Sequence, residues 1–112
     1  MDRIHRLASA SDVDRVRRLG RSQASPLMVV VAGASDLPYP RFAFVAGKGV
    51  GGAVKRNRAK RRMRALVQAH LPQVASGKDI VLIARTPLLA AEWPVVLDTG
   101  LRLLQRAGAL HD

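Results

Sequence analysis

The chain has 112 residues and carries 19 lysines and arginines against eight acidic residues, so its formal net charge is +11. This length fits one domain with a modest hydrophobic core. The absence of cysteine excludes disulfides, thiolate nucleophiles and cysteine-ligated zinc. Such a charge indicates a polyanionic partner, and composition alone leaves nucleic acid and a membrane surface both open.

No targeting or membrane segment is recognisable in the sequence. The first ten residues lack the apolar stretch of a secretory signal. The longest apolar run, residues 27–32, is far shorter than the ~18 residues that a membrane span needs. We therefore predict a cytoplasmic protein with no membrane partner. A single domain is expected over residues 1–112, with an ordered core of about 6–107.

The first predicted element is a short helix over residues 11–19. Ser11 and Asp12 are typical of a helix cap followed by an acid in the first turn, and Gly20 is a natural stop. The apolar face of this helix is expected to contain Val13, Val16 and Leu19.

Three apolar runs rich in β-branched or aromatic residues predict strands, at residues 27–32, 41–46 and 80–84. Residues 33–40 consist largely of turn-forming Gly, Ser, Asp and Pro. We therefore expect the first two strands to pair antiparallel across this loop.

A long basic helix is predicted to begin near Ala53 and to end before Pro72. Apolar side chains at helical spacing form one stripe, which contains Ala59, Met63, Leu66, Val67 and Leu71. Cations form a second surface, which contains Arg56, Lys60 and Arg64 one turn apart, with Arg58, Arg61 and Arg62 alongside. The helix is expected to pack on one side and to expose cations on the other.

The last predicted element is an amphipathic helix from Pro94 to near Gly108. Trp93, just before it, is expected to anchor the helix start in the core. The resulting order is helix, strand, strand, helix, strand, helix. This order predicts an α+β fold, a small two-layer α/β sandwich with the helices packed on a short sheet.

The basic helix holds the strongest functional signal, because seven of the ten residues from 55 to 64 are lysine or arginine. No acid lies between Arg41 and Lys78, so these charges have no nearby counterion in the sequence. Solvated helix faces usually alternate their charges, whereas here like charges recur at i,i+4 and destabilise the isolated helix. A partner that neutralises them is therefore expected, and nucleic acid fits best.

Residues 47–52 read Gly-Lys-Gly-Val-Gly-Gly between a strand and a helix, which satisfies the dinucleotide-binding pattern G-x-G-x-x-G. The cationic helix that follows and the shortness of the chain count against a nucleotide cofactor. Two interpretations remain open. The turn brings Lys48 and backbone N–H groups to an RNA phosphate, or it is only a tight connection.

No catalytic set is recognisable. The sequence lacks a Gly-x-Ser-x-Gly elbow, a His-Glu-x-x-His motif and an acidic cluster suited to Mg²⁺, so no protein-bound metal is expected. Phe42 and Phe44 share one face of a predicted strand. They either stack on unpaired bases or belong to the core.

Residues 41–64 resemble the signature of bacterial ribonuclease P protein subunits. In that family a strand is followed by Ser-Lys-Lys-hydrophobic-Gly-Asn-Ala-Val, then Arg-Asn-Arg-x-Lys-Arg and a further arginine. Here the run after the strand is Gly-Lys-Gly-Val-Gly-Gly-Ala-Val-Lys-Arg-Asn-Arg-Ala-Lys-Arg-Arg-Met-Arg. Residues 77–85 look like the next strand of the family, and residues 6–21 are similar to its opening helix.

The resemblance implies a protein that binds a catalytic RNA and the 5′ leader of precursor tRNA. It would act as accessory subunit of an endoribonuclease whose catalytic centre and Mg²⁺ lie on the RNA and substrate, with no nucleotide cofactor. The implied fold resembles the ribosomal protein S5 domain 2-like fold, with a left-handed βαβ crossover. The implied RNA-binding residues are Lys48, Lys55, Arg56, Asn57, Arg58, Lys60, Arg61 and Arg64.

The leader-binding cleft of the family usually carries aromatic residues on the first helix and first strand. Aligned positions here hold Val13, Arg17 and about Val31, and Phe42 and Phe44 complete the candidate cleft. Leader contact is therefore expected to depend on charge and shape more than on stacking. The alternative function is a ribosomal or other structural basic RNA-binding protein without a part in tRNA maturation. A small nucleotide-dependent enzyme that uses the glycine-rich turn is a third hypothesis.

Overall fold

Three helices and four strands form along residues 2–111, the part of the chain that the computed structural model describes. The helices are α1 (Ala10–Leu19), α2 (Ala53–His70) and α3 (Trp93–Arg106). The strands are β1 (Arg21–Ala24), β2 (Met28–Ala34), β3 (Arg41–Val45) and β4 (Lys78–Ala84). This is the predicted α+β class with one additional strand. The end residues of the predicted domain, Met1 and Asp112, lie outside the described residues.

The four strands form one mixed sheet in the order β1-β2-β4-β3. β2 pairs antiparallel with both β1 and β4, and β3 pairs parallel with β4. The predicted antiparallel pairing of β2 with β3 is therefore wrong. β4 lies between them, because a strand with a continuous apolar run is buried on both faces and takes a central position. The parallel β3–α2–β4 connection is a crossover, and its left-handedness stays a prediction.

β1 was missed because its sequence, Arg-Ser-Gln-Ala, has neither an apolar run nor an alternating pattern. It is an edge strand with mostly exposed side chains, so it forms through backbone pairing with β2.

The two faces of the sheet bury different sets of side chains. On one face α2 and α3 enclose the larger core, into which Val30, Ile80 and Leu82 point. On the other face α1 covers a smaller cluster that contains Val31 and Val81. Alternate residues of β2 and β4 thus enter opposite layers, which explains why these strands read as continuous apolar runs.

Burial of one stripe explains why a helix as cationic as α2 forms. Ala59, Met63, Leu66 and Val67 are fully buried, as the spacing predicted. Each large apolar side chain contributes about 1.5–3 kcal/mol, which exceeds the few tenths of a kcal/mol that each like-charged i,i+4 pair costs. At Gly100, α3 approaches so closely that a Cβ there would collide with Leu66.

The ends of α1 differ from the sequence prediction in two ways. Its cap is Ser9, whose hydroxyl accepts a hydrogen bond from the backbone N–H of Asp12 at 3.4 Å, instead of Ser11. Leu19 is 75% exposed and does not belong to the apolar face. Gly20 turns the chain directly into β1, so close to the sheet that a Cβ would lie 2.8 Å from Val31 Cγ1. The turn leaves Leu19 outside the layer.

Trp93 is also outside the core, contrary to the prediction, with 37% of its surface exposed. It is the first residue of α3, and the buried residues of this helix begin at Val96. The indole lies under the guanidinium of Arg62, whose Cζ is 5.7 Å from the ring centroid. None of the helices within residues 2–111 is long and apolar enough to cross a membrane.

A fully buried carboxylate ties α1 to the sheet. Asp79, in β4, accepts two hydrogen bonds of 2.8 Å from the Nε and Nη2 of Arg41 in β3. It accepts a third, of 3.0 Å, from Arg15 Nη2 in α1. The bonds to Asp79 raise the pKa of Arg41 above its ordinary value. Because three elements meet at one carboxylate, this cluster fixes the position of α1 on its face of the sheet.

Candidate nucleic-acid interface

The predicted RNA-binding cations form a mostly exposed surface along α2, which we call the α2 face. Seven of the eight predicted residues lie on this helix, and Lys48 lies on the 3-10 turn Lys48–Val50 just before it. Lys48, Lys55, Asn57, Arg58, Arg61 and Arg64 are exposed, whereas Arg56 and Lys60 are half-buried. The salt bridges found within residues 2–111 involve none of these side chains. The α2 face therefore presents uncompensated positive charge.

The N-terminal end of α2 adds to this positive potential. Gly52 occupies the cap position and has no side chain that could cap the helix. The first turn of α2 contains no acid. Gly51 has φ 140°, where a side chain would be strained, and its Cβ would lie 2.6 Å from Lys55 Cδ. The positive end of the helix dipole and the adjacent lysine thus lie together. This arrangement favours an anion from a partner at this end of α2.

Arg62 folds back onto the protein through three short hydrogen bonds. Its Nη1 donates to the carbonyls of Leu88 and Leu89 at 3.0 Å, and its Nη2 donates to that of Ala91 at 2.7 Å. Arg58 adds a longer bond of 3.3 Å to Leu89. Arg62 therefore holds the segment after β4 against α2 and does not belong to the α2 face.

Replacement of Arg62 by lysine is expected to lower the free energy of unfolding by about 1–2 kcal/mol. The three carbonyls are contacted by two separate Nη atoms, and the single nitrogen of an ammonium cannot take both positions. Urea denaturation measures the change. Arg61→Lys is the matched control, since Arg61 is exposed on the same helix, and its stability should stay within about 0.5 kcal/mol of the original. Equal effects of the two substitutions would contradict the structural assignment of Arg62.

A crevice opens at the edge of β3, between α2 and the N-terminal segment. We call residues 2–8 the strap and this cavity, of about 600 Å³, the strap crevice. Its walls include Arg3, Arg6, Val13, Phe44, Lys60 and Arg64. The Arg64 guanidinium carbon is 5.4 Å from the centroid of the Phe44 ring. Lys60 and Arg64, predicted from the helix pattern, thus line the same crevice as two arginines of the strap.

A second crevice lies at the carboxyl ends of β3 and β4. We call it the glycine-turn crevice; its volume is about 620 Å³, and its lining includes Arg17, Val45, Gly47, Gly49, Ile83 and Arg85. Thr86 Oγ1 donates to the carbonyl of Gly49 at 3.1 Å and so fixes the glycine-rich turn. Val45 lines both crevices, so they are adjacent along β3.

The five residues predicted for a leader cleft do not form one site. Val13, Phe42 and Phe44 line the strap crevice, and Arg17 lines the glycine-turn crevice. Val31 is only 3% exposed and packs under α1, so its inclusion was wrong. Phe42, 1% exposed, is a core residue whose ring stacks parallel to that of Phe44 at 6.5 Å. Of these two phenylalanines, Phe44 is the one that is partly exposed.

Sequence reasoning missed Arg3, Arg6 and Arg85 as wall residues. Arg3 and Arg6 belong to a segment with no helical or strand periodicity, so no pattern placed them opposite α2. Arg85 directly follows β4, and its position at the carboxyl end of a strand was the available signal.

The described part of the chain offers no cluster of donor side chains suited to a magnesium ion. Within residues 2–111 no three His, Asp or Glu side chains come together in a group that could hold a metal. The one fully buried carboxylate, Asp79, is occupied by the guanidinium groups of Arg41 and Arg15.

A family model described as Ribonuclease P matches residues 1–108. The chain belongs to the ribonuclease P protein family. It is 40% identical over 112 residues to the ribonuclease P protein component of Roseiflexus castenholzii, covering 99% of this chain and 92% of that protein. It is 36% identical to the component of Herpetosiphon aurantiacus, covering 100% and 91%.

Solved structures of ribonuclease P proteins have the same fold. The protein from Staphylococcus aureus superposes with a TM-score of 0.84 at 26% identity, covering 96% of this chain and 98% of that one. The protein from Thermotoga maritima gives 0.81 at 28% identity, covering 90% and 96%. The chain is therefore the protein subunit of a ribonuclease P, an accessory component of an endoribonuclease with an RNA subunit as partner. This decides against the alternative of a structural RNA-binding protein.

Proposed function

We propose that this ribonuclease P protein binds the catalytic RNA through the α2 face and the 5′ leader of precursor tRNA through the crevices along β3. In this proposal the RNA carries the catalytic centre and binds Mg²⁺ together with the substrate, and the holoenzyme acts in the cytoplasm. The observation that carries the proposal is the uncompensated cation surface of α2, which no acidic side chain of the described residues neutralises.

The catalytic RNA is the better occupant of the α2 face because the surface is long and carries cations but no acid. Arg56, Lys60 and Arg64 recur one turn apart, so successive charges lie about 6 Å from one another along a rigid helix. Rigid helices position phosphate contacts well, and arginine adds bidentate geometry to charge. Such contacts orient the protein on a folded RNA without reading its sequence.

The leader is the better occupant of the crevices because they combine charge with apolar floors. Arg17 and Arg85 are exposed and flank Val45 and Ile83, which are only half-buried. An unpaired strand offers both phosphates and base faces, whereas a duplex hides its base faces. Val13 and Phe44 continue this surface beyond Val45. Mature tRNA lacks the leader, so these contacts favour precursor over product.

The leader assignment predicts that the holoenzyme binds precursor tRNA more tightly than mature tRNA and that Arg17→Ala with Arg85→Ala reduces this preference by about tenfold. Two phosphate contacts on a single strand should also lower the slope of log affinity against log salt by about 1.4. Filter binding of both tRNAs at several salt concentrations measures the effect.

The control is Arg102→Ala with Arg106→Ala, which removes the same charge from exposed positions of α3 that line neither crevice. This control should keep the preference. If it loses the preference equally, net charge and not the crevice is responsible. If the unsubstituted holoenzyme binds both tRNAs alike, the leader assignment is wrong.

A further inference from the structure

A small apolar surface at the start of α3 stays exposed beside the basic helix. Trp93, the single tryptophan of the chain, is 37% exposed, and Val95 is 51% exposed. Pro94, between them, is exposed as well. Tryptophan has a large apolar area to remove from water, and exposed tryptophan is enriched at binding interfaces. The position of this side chain therefore indicates a contact with a partner.

The indole is held in one orientation by Arg62. The Cζ atom of Arg62 lies over the ring, 5.7 Å from its centroid. The same guanidinium donates hydrogen bonds to the carbonyls of Leu88, Leu89 and Ala91. Because these bonds fix the guanidinium, they also fix the ring that packs under it. A side chain that is already ordered loses little conformational entropy when a partner binds.

The surface around Trp93 is continuous with the α2 face. Arg58, a residue of that face, donates to the carbonyl of Leu89, in the same segment that Arg62 holds. The acid next to the indole is Glu92, which is exposed and takes part in none of the salt bridges of the described chain. A second copy of a chain with net charge +11 is repelled from such a place, whereas an RNA is attracted to it.

We propose that Trp93 stacks on a base of the ribonuclease P RNA, at the rim of the surface that the α2 face forms. The inference rests on the proposed function and deepens it, because it extends the contact with that RNA from α2 to the start of α3. Arg62 is a positioning residue in this contact, since it acts through the indole. Stacking of a base on an aromatic ring contributes affinity without neutralising a phosphate.

The fluorescence of the single tryptophan tests this contact in the unsubstituted full chain. Titration with ribonuclease P RNA should quench the emission of Trp93 and protect the indole from acrylamide, with a midpoint equal to that of filter binding. If the emission and the accessibility to acrylamide stay unchanged when the RNA is saturating, the proposal is wrong. A change that depends on protein concentration without RNA would assign the surface to self-association and would also overturn the proposal.

Substitution of Trp93 tests the energetic contribution of the ring. Trp93→Leu keeps an apolar side chain but has no ring, so its affinity for ribonuclease P RNA should fall by about tenfold. The slope of log affinity against log salt should not change, because no phosphate contact is lost. Trp93→Phe should recover most of the affinity, and the neighbouring control Val95→Ala should lose less than about twofold. Circular dichroism and thermal unfolding show that each variant is folded.

The result for Trp93→Leu has two contradicting outcomes. Full affinity in this variant would show that the ring adds nothing to binding. A loss that Trp93→Phe does not recover, or that comes with a smaller salt slope, would show a displaced α2 face instead of a lost stacking contact. Failure of the proposed function looks different, because the unsubstituted protein would then not bind the RNA, and the inference would fall with it. Binding with no change at Trp93 overturns the inference alone.

Discussion

Replacement of Arg58 and Arg61 by glutamate is expected to weaken binding of ribonuclease P RNA by about a hundredfold or more, or about 2.7 kcal/mol. Both residues are exposed on the α2 face, where two removed cations and two new anions meet the same phosphates. The single bond of Arg58 to the protein, 3.3 Å to the Leu89 carbonyl, is long and exposed, so the domain should remain folded. Filter binding at fixed salt measures the affinity.

The charge-matched control is Arg102→Glu with Arg106→Glu on α3, which changes net charge by the same amount. The affinity of this control variant for ribonuclease P RNA should fall far less, because long-range repulsion between exposed charges is screened beyond about 10 Å at 0.1 M salt. Near-equal losses in the two variants would show that net charge drives binding. If the Arg58→Glu, Arg61→Glu variant binds the RNA with unchanged affinity, the α2 face does not contact the RNA.

The largest expected effect on stability is at Asp79. Asp79→Asn should lower the free energy of unfolding by about 3–5 kcal/mol, because it removes a buried negative charge that pairs with two guanidinium groups. The new amide also turns a donor group toward Arg41, which has no acceptor to offer. Urea denaturation followed by circular dichroism measures the change.

Two further variants separate burial from simple ion pairing. Asp98→Asn breaks an exposed ion pair of 3.1 Å with Arg102 and should cost less than about 1 kcal/mol. Asp79→Leu together with Arg41→Met removes the buried carboxylate and its half-buried partner and should recover much of the lost stability, since Arg15 is partly exposed and can turn to solvent. A cost at Asp79 no larger than that at Asp98 would contradict the anchoring role of the cluster.

Strong local patterns predicted most of the fold. The stripe of Ala59, Met63, Leu66 and Val67 fixed α2, because a 3.6-residue period has few alternative interpretations. The order of the strands in the sheet could not be predicted from such local patterns. The sequence gives no measure of which apolar strand is central, so β2 and β3 were paired through the loop that joins them although β4 lies between. β1 is held by its neighbour and carries no pattern of its own.

The candidate site also has a part that local sequence patterns predict and a part that they do not. Spacing grouped the cations of one regular helix, the family resemblance singled out seven of its positions, and all seven lie on α2. The crevice walls depend on tertiary contacts between distant segments. The strap reaches β3 through the Leu7 and His5 bonds, and Val31 is covered by α1. Neither contact has a signature in the sequence, so Arg3 and Arg6 were missed and Val31 was included in error.

The most direct test of the account is reconstitution with a bacterial ribonuclease P RNA at low Mg²⁺, followed by release of the 5′ leader from precursor tRNA. We expect the protein to stimulate cleavage strongly and the Arg58→Glu, Arg61→Glu variant to do so only at much higher protein concentration. The Arg102→Glu, Arg106→Glu control should stimulate like the unsubstituted protein. If the folded protein binds the RNA but does not stimulate cleavage, the account is wrong.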